Sequence, residues 1–326
     1  MIVNSASVKY DQFGDPSEVL RIEYEHKSAP KDYEVLVRMK LRPINPSDLI
    51  PVRGSYAHRI TLPAIPGYEG VGIVEQVGNR VSADLIGKRV LPLRGEGTWQ
   101  EVVKTSAAFT VPIPDSINDT AASQMYINPI TAWVTLTEVL KIKAGDTLVV
   151  NACGSAIGHI YAQLTKLIGC RLIAVVRNGD YTERLLQLGA FHVIDTSKHS
   201  LTEAIMALTY GRGADAAIDS IGGDEGNLLS QCVQPTGTFL TIGLLSGVQV
   251  DWREISSRVN AKLFHLRHWN RNTSIRTWHK TFERIIDLAA NEKLLLMNMV
   301  ANYDLHDIKM ALHAVEEKKE KVFLTS

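Results

Sequence analysis

The chain of 326 residues is short of cysteine: only Cys153, Cys170 and Cys232 occur, and none are at a paired spacing. That excludes a disulfide framework and fits a reducing compartment. An excess of either charge is also missing, since 35 Lys and Arg balance 35 Asp and Glu. Nothing in the net charge would draw nucleic acid or an anionic membrane as partner. No apolar run reaches the ~20 residues that span a bilayer, and the amino terminus lacks a signal-peptide pattern. Strand-like sequence begins near Ser7, which leaves no room for a transit peptide; a cytoplasmic protein is expected. No Gly-Lys-Ser/Thr follows a glycine turn, so a mononucleotide P-loop is excluded. Internal repeats and low-complexity segments are absent too.

What is present is enough length and apolar content (45%) for two ordinary globular domains. The first ~120 residues read as β-rich. Strand patterns fall at 35–41, 70–77, 88–91 and 101–103, with Pro43, Pro46, Pro51, Pro63, Pro66, Gly67, Gly95 and Gly97 marking turns between and around them. From about Asp119 the texture changes. Helices are expected at 119–124, 130–140, 156–168, 181–188, 201–209 and 224–231, and strands at 147–150, 172–176, 193–195, 214–219 and 238–242. Strands alternating with helices predict a parallel, doubly wound α/β sheet. The tail predicts a helix at 276–290, a strand near 298–302, a helix at 305–317 and a last strand at 321–324.

The stretch Leu148-Val-Val-Asn-Ala-Cys-Gly-Ser-Ala-Ile-Gly158 carries the most chemistry. An apolar strand enters a small-residue turn and a helix starts at once. The first N–H groups of a helix have no internal partner and the helix dipole is positive there, so the backbone of Gly154, Ser155, Ala156 and Ile157 suits a pyrophosphate. Gly154 leaves room for a phosphate, and Gly158 for close packing of the strand. The spacing is Gly-x-x-x-Gly, and an ordinary βα turn reads the same way until its context is added. That context is the next apolar strand, Arg171-Leu-Ile-Ala-Val-Val176, which ends on Arg177. An acid there would bond a ribose 2′-hydroxyl, whereas a cation suits a 2′-phosphate and predicts NADPH.

In order and spacing, Phe13-Gly-Asp-Pro-Ser-Glu-Val-Leu20, Ile44-Asn-Pro-Ser-Asp48, Gly67-Tyr-Glu-Gly70, the 151–158 turn and Leu188-Gly-Ala190 resemble the medium-chain dehydrogenase/reductase superfamily over essentially the whole chain. The resemblance implies a GroES-like β-rich domain (1–120 and 270–326) and a Rossmann domain (121–269), with the cofactor in the cleft between them. Arg53-Gly-Ser-Tyr56, Asn128-Pro-Ile-Thr-Ala132, Val175-Val-Arg-Asn178 and Phe264-His-Leu-Arg-His-Trp269 resemble mitochondrial-type trans-2-enoyl-thioester reductases more closely, with quinone reductases sharing the first two in looser form. Asn45 stands where the zinc alcohol dehydrogenases of this superfamily have a Cys ligand, and Tyr68 where they have a His. Glu69 alone cannot build a three-ligand zinc site, and the four-cysteine structural lobe is missing, so no metal is expected. Without a Lewis acid to ionise an alcohol, reduction is the expected direction.

Through the same resemblance Tyr56 becomes the expected proton donor. A phenol ionises near ~10 and is protonated at pH 7. Tyr56 also reads as a packing tyrosine in a turn, and Ala57-His58-Arg59 follow it where the family has small residues. Asn45 is expected by the nicotinamide ribose or the substrate carbonyl, or as an Asn-Pro turn former. Asn128 and Thr131 are expected under the nicotinamide, with Asn128 reading equally as a helix cap. Leu266 and Lys321 match cofactor-touching positions, although Lys321 ends a charge run (316–321) of the kind that is usually solvated. Ile242 and Gly243 end a strand on the cofactor side. Trp269 matches the acyl-pocket tryptophan or is a core aromatic.

The expected function is NADPH-dependent reduction of an activated C=C bond, preferably in a 2-enoyl-CoA or 2-enoyl-ACP. An NADPH:quinone oxidoreductase and a non-catalytic NADPH-binding protein are the alternatives. A homodimer through the Rossmann sheet edge, at 248–251, is expected from the resemblance.

Overall fold

The computed structural model describes residues 3–318 and 321–326. The described residues divide into two compact units, one of residues up to Ile127 with Ile275–Glu292 and Leu296–Ser326, the other of Asn128–Ser274 with Lys293–Leu295.

The first unit is a GroES-like β domain. Its main sheet runs in the order Ala301–Asp304, Val322–Thr325, Glu34–Pro43, Val71–Val77, Arg89–Pro92 and Thr110–Pro112, with Val102–Ser106 paired to Glu34–Pro43. Val3–Lys9 and Arg21–Lys27 form a separate antiparallel pair. Alternation in Val35-Leu-Val-Arg-Met-Lys-Leu41 buries Val35, Val37 and Met39 against Val74, Val90 and Val103. The strand expected near 298–302 runs instead from Ala301 to Asp304, where parallel pairing with Val322–Thr325 begins. A second core gathers Val8, Leu49, Val52 and Trp99 with Leu305, Ile308 and Leu312 from the chain's end. Arg42, fully buried, donates to the carbonyls of Gln100 and Leu324 and so ties the last strand down.

The second unit is a six-stranded parallel sheet in the order His192–Asp195, Arg171–Val176, Thr147–Val150, Ala214–Asp219, Val233–Thr241 and Asn260–Leu263, the doubly wound arrangement. Continuous apolar strands here are what burial on both faces requires. Val233–Thr241 starts five residues before the expected 238, because a bulge opposite Ala214–Ala216 accommodates Pro235 and Gly237 within the strand.

Two expectations need correction. The helix expected at 130–140 is the α-helix Ile127–Val134 followed by a π-helical turn, Thr135–Val139. The sheet edge expected at 248–251 is not a strand; the edge is Asn260–Leu263, too mixed in pattern to stand out in the sequence.

Candidate functional site

In the second unit, the strand Thr147–Val150 delivers the turn 151–158 to the helix Ala156–Ile168. Ser155 is its N-cap, with its hydroxyl oxygen facing the Gly158 N–H at 3.4 Å. Ala156 and Ile157 then present N–H groups with no acceptor among the described residues. Gly154 and Gly158 are both closely approached by other parts of the unit. A methyl on Gly158 would meet the Cys153 backbone at 2.4 Å, so the helix packs on the turn itself rather than on the strand. A methyl on Gly154 would meet the Tyr181 ring at 2.7 Å. Cys153 is an inert part of this turn: its thiol donates to the Val150 carbonyl, and burial pushes its pKa up to about 12.

Asn151 and Asp219 were not singled out in the sequence, yet they organise the carboxyl ends of the strands. Asn151 Nδ2 donates to Asp219 Oδ1 (2.7 Å), while Asn151 Oδ1 accepts from the Ser220 N–H (2.8 Å). Asp219 also receives the N–H groups of Ile221 and Gly222. Asp219 was legible only as an acid ending an apolar strand. Ile242 and Gly243 lie where expected, past the end of Val233–Thr241; the Ile242 N–H donates to the Asp219 carbonyl, and Gly243 is pressed on Ser220. Arg177 follows Arg171–Val176 directly, is exposed and forms no ion pair among the described residues. A pyrophosphate over the turn and a 2′-phosphate by Arg177 therefore fit these residues.

Asn128 lies inside the first turn of Ile127–Val134, so it is not the cap, and Thr131 is buried in the next turn. Leu266 opens the helix Leu266–Asn272, which carries Trp269. The Trp269 indole N–H donates to Glu138 (2.9 Å), and Lys262 Nζ reaches the Val139 carbonyl (3.4 Å). The π-helical turn is thus held from two sides, at a place where such bulges often mark function. His265 and His268 form a His-x-x-His spacing, but among the described residues no three His, Cys, Asp or Glu side chains gather to hold a metal.

In the first unit the motif Asn45-Pro-Ser-Asp48 forms the start of the helix Pro46–Val52. Asp48 Oδ2 accepts from the Asn45 N–H (2.8 Å), and Oδ1 from the Tyr68 N–H (3.1 Å). Asn45 is buried: Nδ2 donates to Glu69 Oε1 (2.7 Å) and Oδ1 accepts from Lys321 Nζ (2.7 Å). Glu69 Oε2 accepts from the N–H groups of Tyr126 and Ile127. Lys321 is therefore no solvated end of a charge run. Burial pushes its pKa down, while Glu69 and Asp48 pull it up. Burial raises the Glu69 carboxyl against the pull of Lys321 and of its hydrogen bonds. Burial also lifts Asp48 to about 7, with Glu69 adding to the rise and Lys321 opposing it.

Tyr56, half-buried, precedes the short turn Ala57–Arg59, and the Arg59 guanidinium lies 3.6 Å from the centroid of its ring. The departure from small residues after the tyrosine therefore places a cation on its face. Tyr68, 44% exposed, borders a small pocket shared with Tyr10, Asp48, Ile60 and Ile65, and burial of its hydroxyl pushes its pKa up to about 12.

Residues 31–115 match the alcohol dehydrogenase GroES-like domain, and residues 156–291 match the zinc-binding dehydrogenases. A mitochondrial enoyl-[acyl-carrier-protein] reductase of Xenopus tropicalis is 34% identical over 242 residues, 73% of this chain and 69% of that one. A solved Bacillus thuringiensis protein, provisionally assigned as an NADPH:quinone reductase, is 59% identical and covers 99% of both chains at a TM-score of 0.98. The Escherichia coli quinone oxidoreductase solved with NADPH shares the fold, at 23% identity, 98% and 100% coverage and a TM-score of 0.90. The chain belongs to the medium-chain dehydrogenase/reductase superfamily, and enoyl-[acyl-carrier-protein] reductases are among its relatives.

Proposed function

We propose that this protein is an NADPH-dependent, zinc-independent reductase of conjugated C=C bonds, with 2-enoyl thioesters, enoyl-CoA or enoyl-ACP, as the preferred acceptors. The observation that carries this reading is the buried Lys321–Asn45–Glu69 chain. An amide held by an ammonium and a carboxylate stands where a zinc dehydrogenase of the family has its first cysteine ligand. A site so built has no Lewis acid of its own to ionise an alcohol, but suits an acceptor already activated by conjugation. The unpartnered N–H groups of Ala156 and Ile157 and the exposed Arg177 support NADPH as donor.

When bound, NADPH supplies a hydride to the acceptor's β-carbon. The residues of the chain do the rest. Ala156 and Ile157 hold the pyrophosphate, and Arg177 pairs with the 2′-phosphate. Asn128, Thr131, Ile242, Gly243 and Leu266 shape the remainder of the cofactor site, and Trp269 borders the acyl group. Tyr56 gives its hydroxyl proton to the α-carbon, completing addition of H⁻ and H⁺ across the double bond. Arg59 over the ring attracts the negative charge left on the phenolate oxygen.

The experiment is steady-state oxidation of NADPH with crotonyl-CoA or hexenoyl-CoA beside a panel of quinones. Turnover with the enoyl thioesters is expected, and turnover with quinones alone would overturn the enoyl assignment. Quinone reduction is the second reading, favoured by the 59% identity to the Bacillus thuringiensis protein. NADPH binding in a fluorescence titration without turnover of any acceptor would indicate a non-catalytic protein.

A further inference from the structure

The four polar atoms of the Asn45–Glu69 pair have unequal freedom. Lysine has only N–H donors, so the atom of Asn45 facing Lys321 Nζ must be the carbonyl oxygen Oδ1. The amide nitrogen then faces Glu69 Oε1, which accepts one of its two hydrogens. Glu69 cannot turn away, because its other oxygen takes the N–H groups of Tyr126 (3.1 Å) and Ile127 (2.8 Å) at the start of Ile127–Val134. Its backbone is equally constrained. Thr98 Oγ1 donates to the Glu69 carbonyl, and a methyl on the neighbouring Gly70 would lie 2.9 Å from the Leu41 carbonyl oxygen. The orientation of the Asn45 amide is thus fixed by chemistry at both ends. The second Nδ2 hydrogen has no acceptor among the described residues, although Asn45 is only 3% exposed. A buried donor left over in this way costs free energy unless something accepts from it.

We propose that Glu69 and Lys321 are positioning residues that lock the Asn45 carboxamide so that it presents an N–H donor, never its carbonyl, to an acceptor oxygen of the bound cofactor or substrate. This rests on the reading of the chain as an NADPH-dependent reductase. The two sources of that oxygen, a ribose hydroxyl of NADPH or the carbonyl of the substrate, share one chemistry and are separated by the test. With the amide reversed, Oδ1 would face Glu69, a contact between two acceptors. Lys321 forbids the reversal by its donors and its charge together. Its substitution by a residue without N–H groups frees the amide to turn, whereas arginine retains donor and charge.

The test uses Asn45→Ala, Glu69→Gln, Lys321→Met and Lys321→Arg, each singly, and the first combined with the second and with the third. Two readouts are taken: the NADPH dissociation constant by fluorescence titration, and kcat with KM for the best acceptor. Glu69→Gln and Lys321→Met are each expected to cost about tenfold, the worth of one hydrogen bond. The loss falls on the NADPH dissociation constant if the oxygen belongs to the cofactor, and on kcat if it belongs to the substrate. In either combination with Asn45→Ala no further loss is expected, because both act through the amide; Lys321→Arg recovers most of the activity. Losses that multiply in the combined variants would overturn the proposal, as would single variants indistinguishable from wild type. The Asn45 side-chain amide signals, followed by NMR without ligand, provide an arm that does not depend on catalysis. They are expected to move strongly in Lys321→Met and little in Lys321→Arg, and unmoved signals in Lys321→Met would overturn the positioning role. Failure of the wild type to bind NADPH would instead overturn the functional reading alone.

Discussion

At the scale of single residues, Arg177 and Lys321 show opposite outcomes of the same kind of reasoning. The place of Arg177 was legible, because it directly follows the strand Arg171–Val176, which local sequence reveals. Its test is direct: Arg177→Ala should weaken NADPH binding about tenfold to a hundredfold, the range of a charge-assisted hydrogen bond, and leave NADH binding nearly unchanged. Equal losses for both nucleotides, measured by titration, would remove the 2′-phosphate argument. The solvated reading of Lys321 failed because its partner, Asn45, lies 276 residues away, and a charge run looks the same whether its last member is solvated or buried. Asp48 was legible only as part of a motif, and its physical consequence appears with burial. Its folded pKa is about 7, against ~3.9 for a free aspartate, so between about pH 4 and pH 7 the folded protein holds a proton that the unfolded chain has lost. The stability this group contributes is therefore present at low pH and lost as pH rises through that window. Asp48→Asn removes the titration. The melting temperature of the wild type relative to this variant should fall by several degrees from pH 4 to pH 7 and level off above; a constant difference would refute the assignment.

At the scale of elements, the turn 151–158 was legible in place and in kind, because strand, small residues and helix follow one another with no long-range partner needed. The helix Ala156–Ile168 falls at the expected residues. What the sequence concealed was the reason for its second glycine. Gly158 is fitted to the Cys153 backbone, with Cβ approaches of 2.4–2.6 Å that no flexible side chain can relieve. Gly158→Ala should therefore lift the helix off the turn and cost about 1–3 kcal/mol of stability, as overpacking does, even though alanine is the better helix former. Urea denaturation gives the stability. NADPH titration should show a matching loss if the N–H groups of Ala156 and Ile157 hold the pyrophosphate. A variant as stable as wild type would mean that the packing relaxes at no cost. The π-helical turn Thr135–Val139 had no sequence signal at all. It is held by Trp269–Glu138 and Lys262–Val139, contacts across more than 120 residues that periodicity cannot register.

For the whole molecule, the change of texture near residue 119 and the alternation of strands and helices beyond it were enough to give a β-rich part and a doubly wound parallel part, and the family resemblance added that the first is GroES-like. The last strand of the parallel sheet escaped, because Asn260-Ala-Lys-Leu263 is short and its pattern mixed. That strand matters for association. Among the described residues it is an edge, pairing only with Val233–Thr241, and an edge leaves a row of N–H and C=O groups available to another chain. Edges are commonly guarded by charge, but Lys262 here turns its ammonium to the Val139 carbonyl. Leu263 is 66% exposed, and Leu245 and Val248 are exposed as well. We propose Asn260–Leu263 as the edge through which a homodimer would form, two copies continuing one sheet across a twofold axis. Leu263→Lys sets like charges against each other across that axis without touching the buried face of the sheet. Sedimentation equilibrium should give a dimer for the wild type and a shift to monomer for the variant, with the melting temperature extrapolated to high dilution unchanged between them. A wild type that stays monomeric at every concentration, or a variant dimer as tight as the wild type, would mean that this edge is left unpaired in solution.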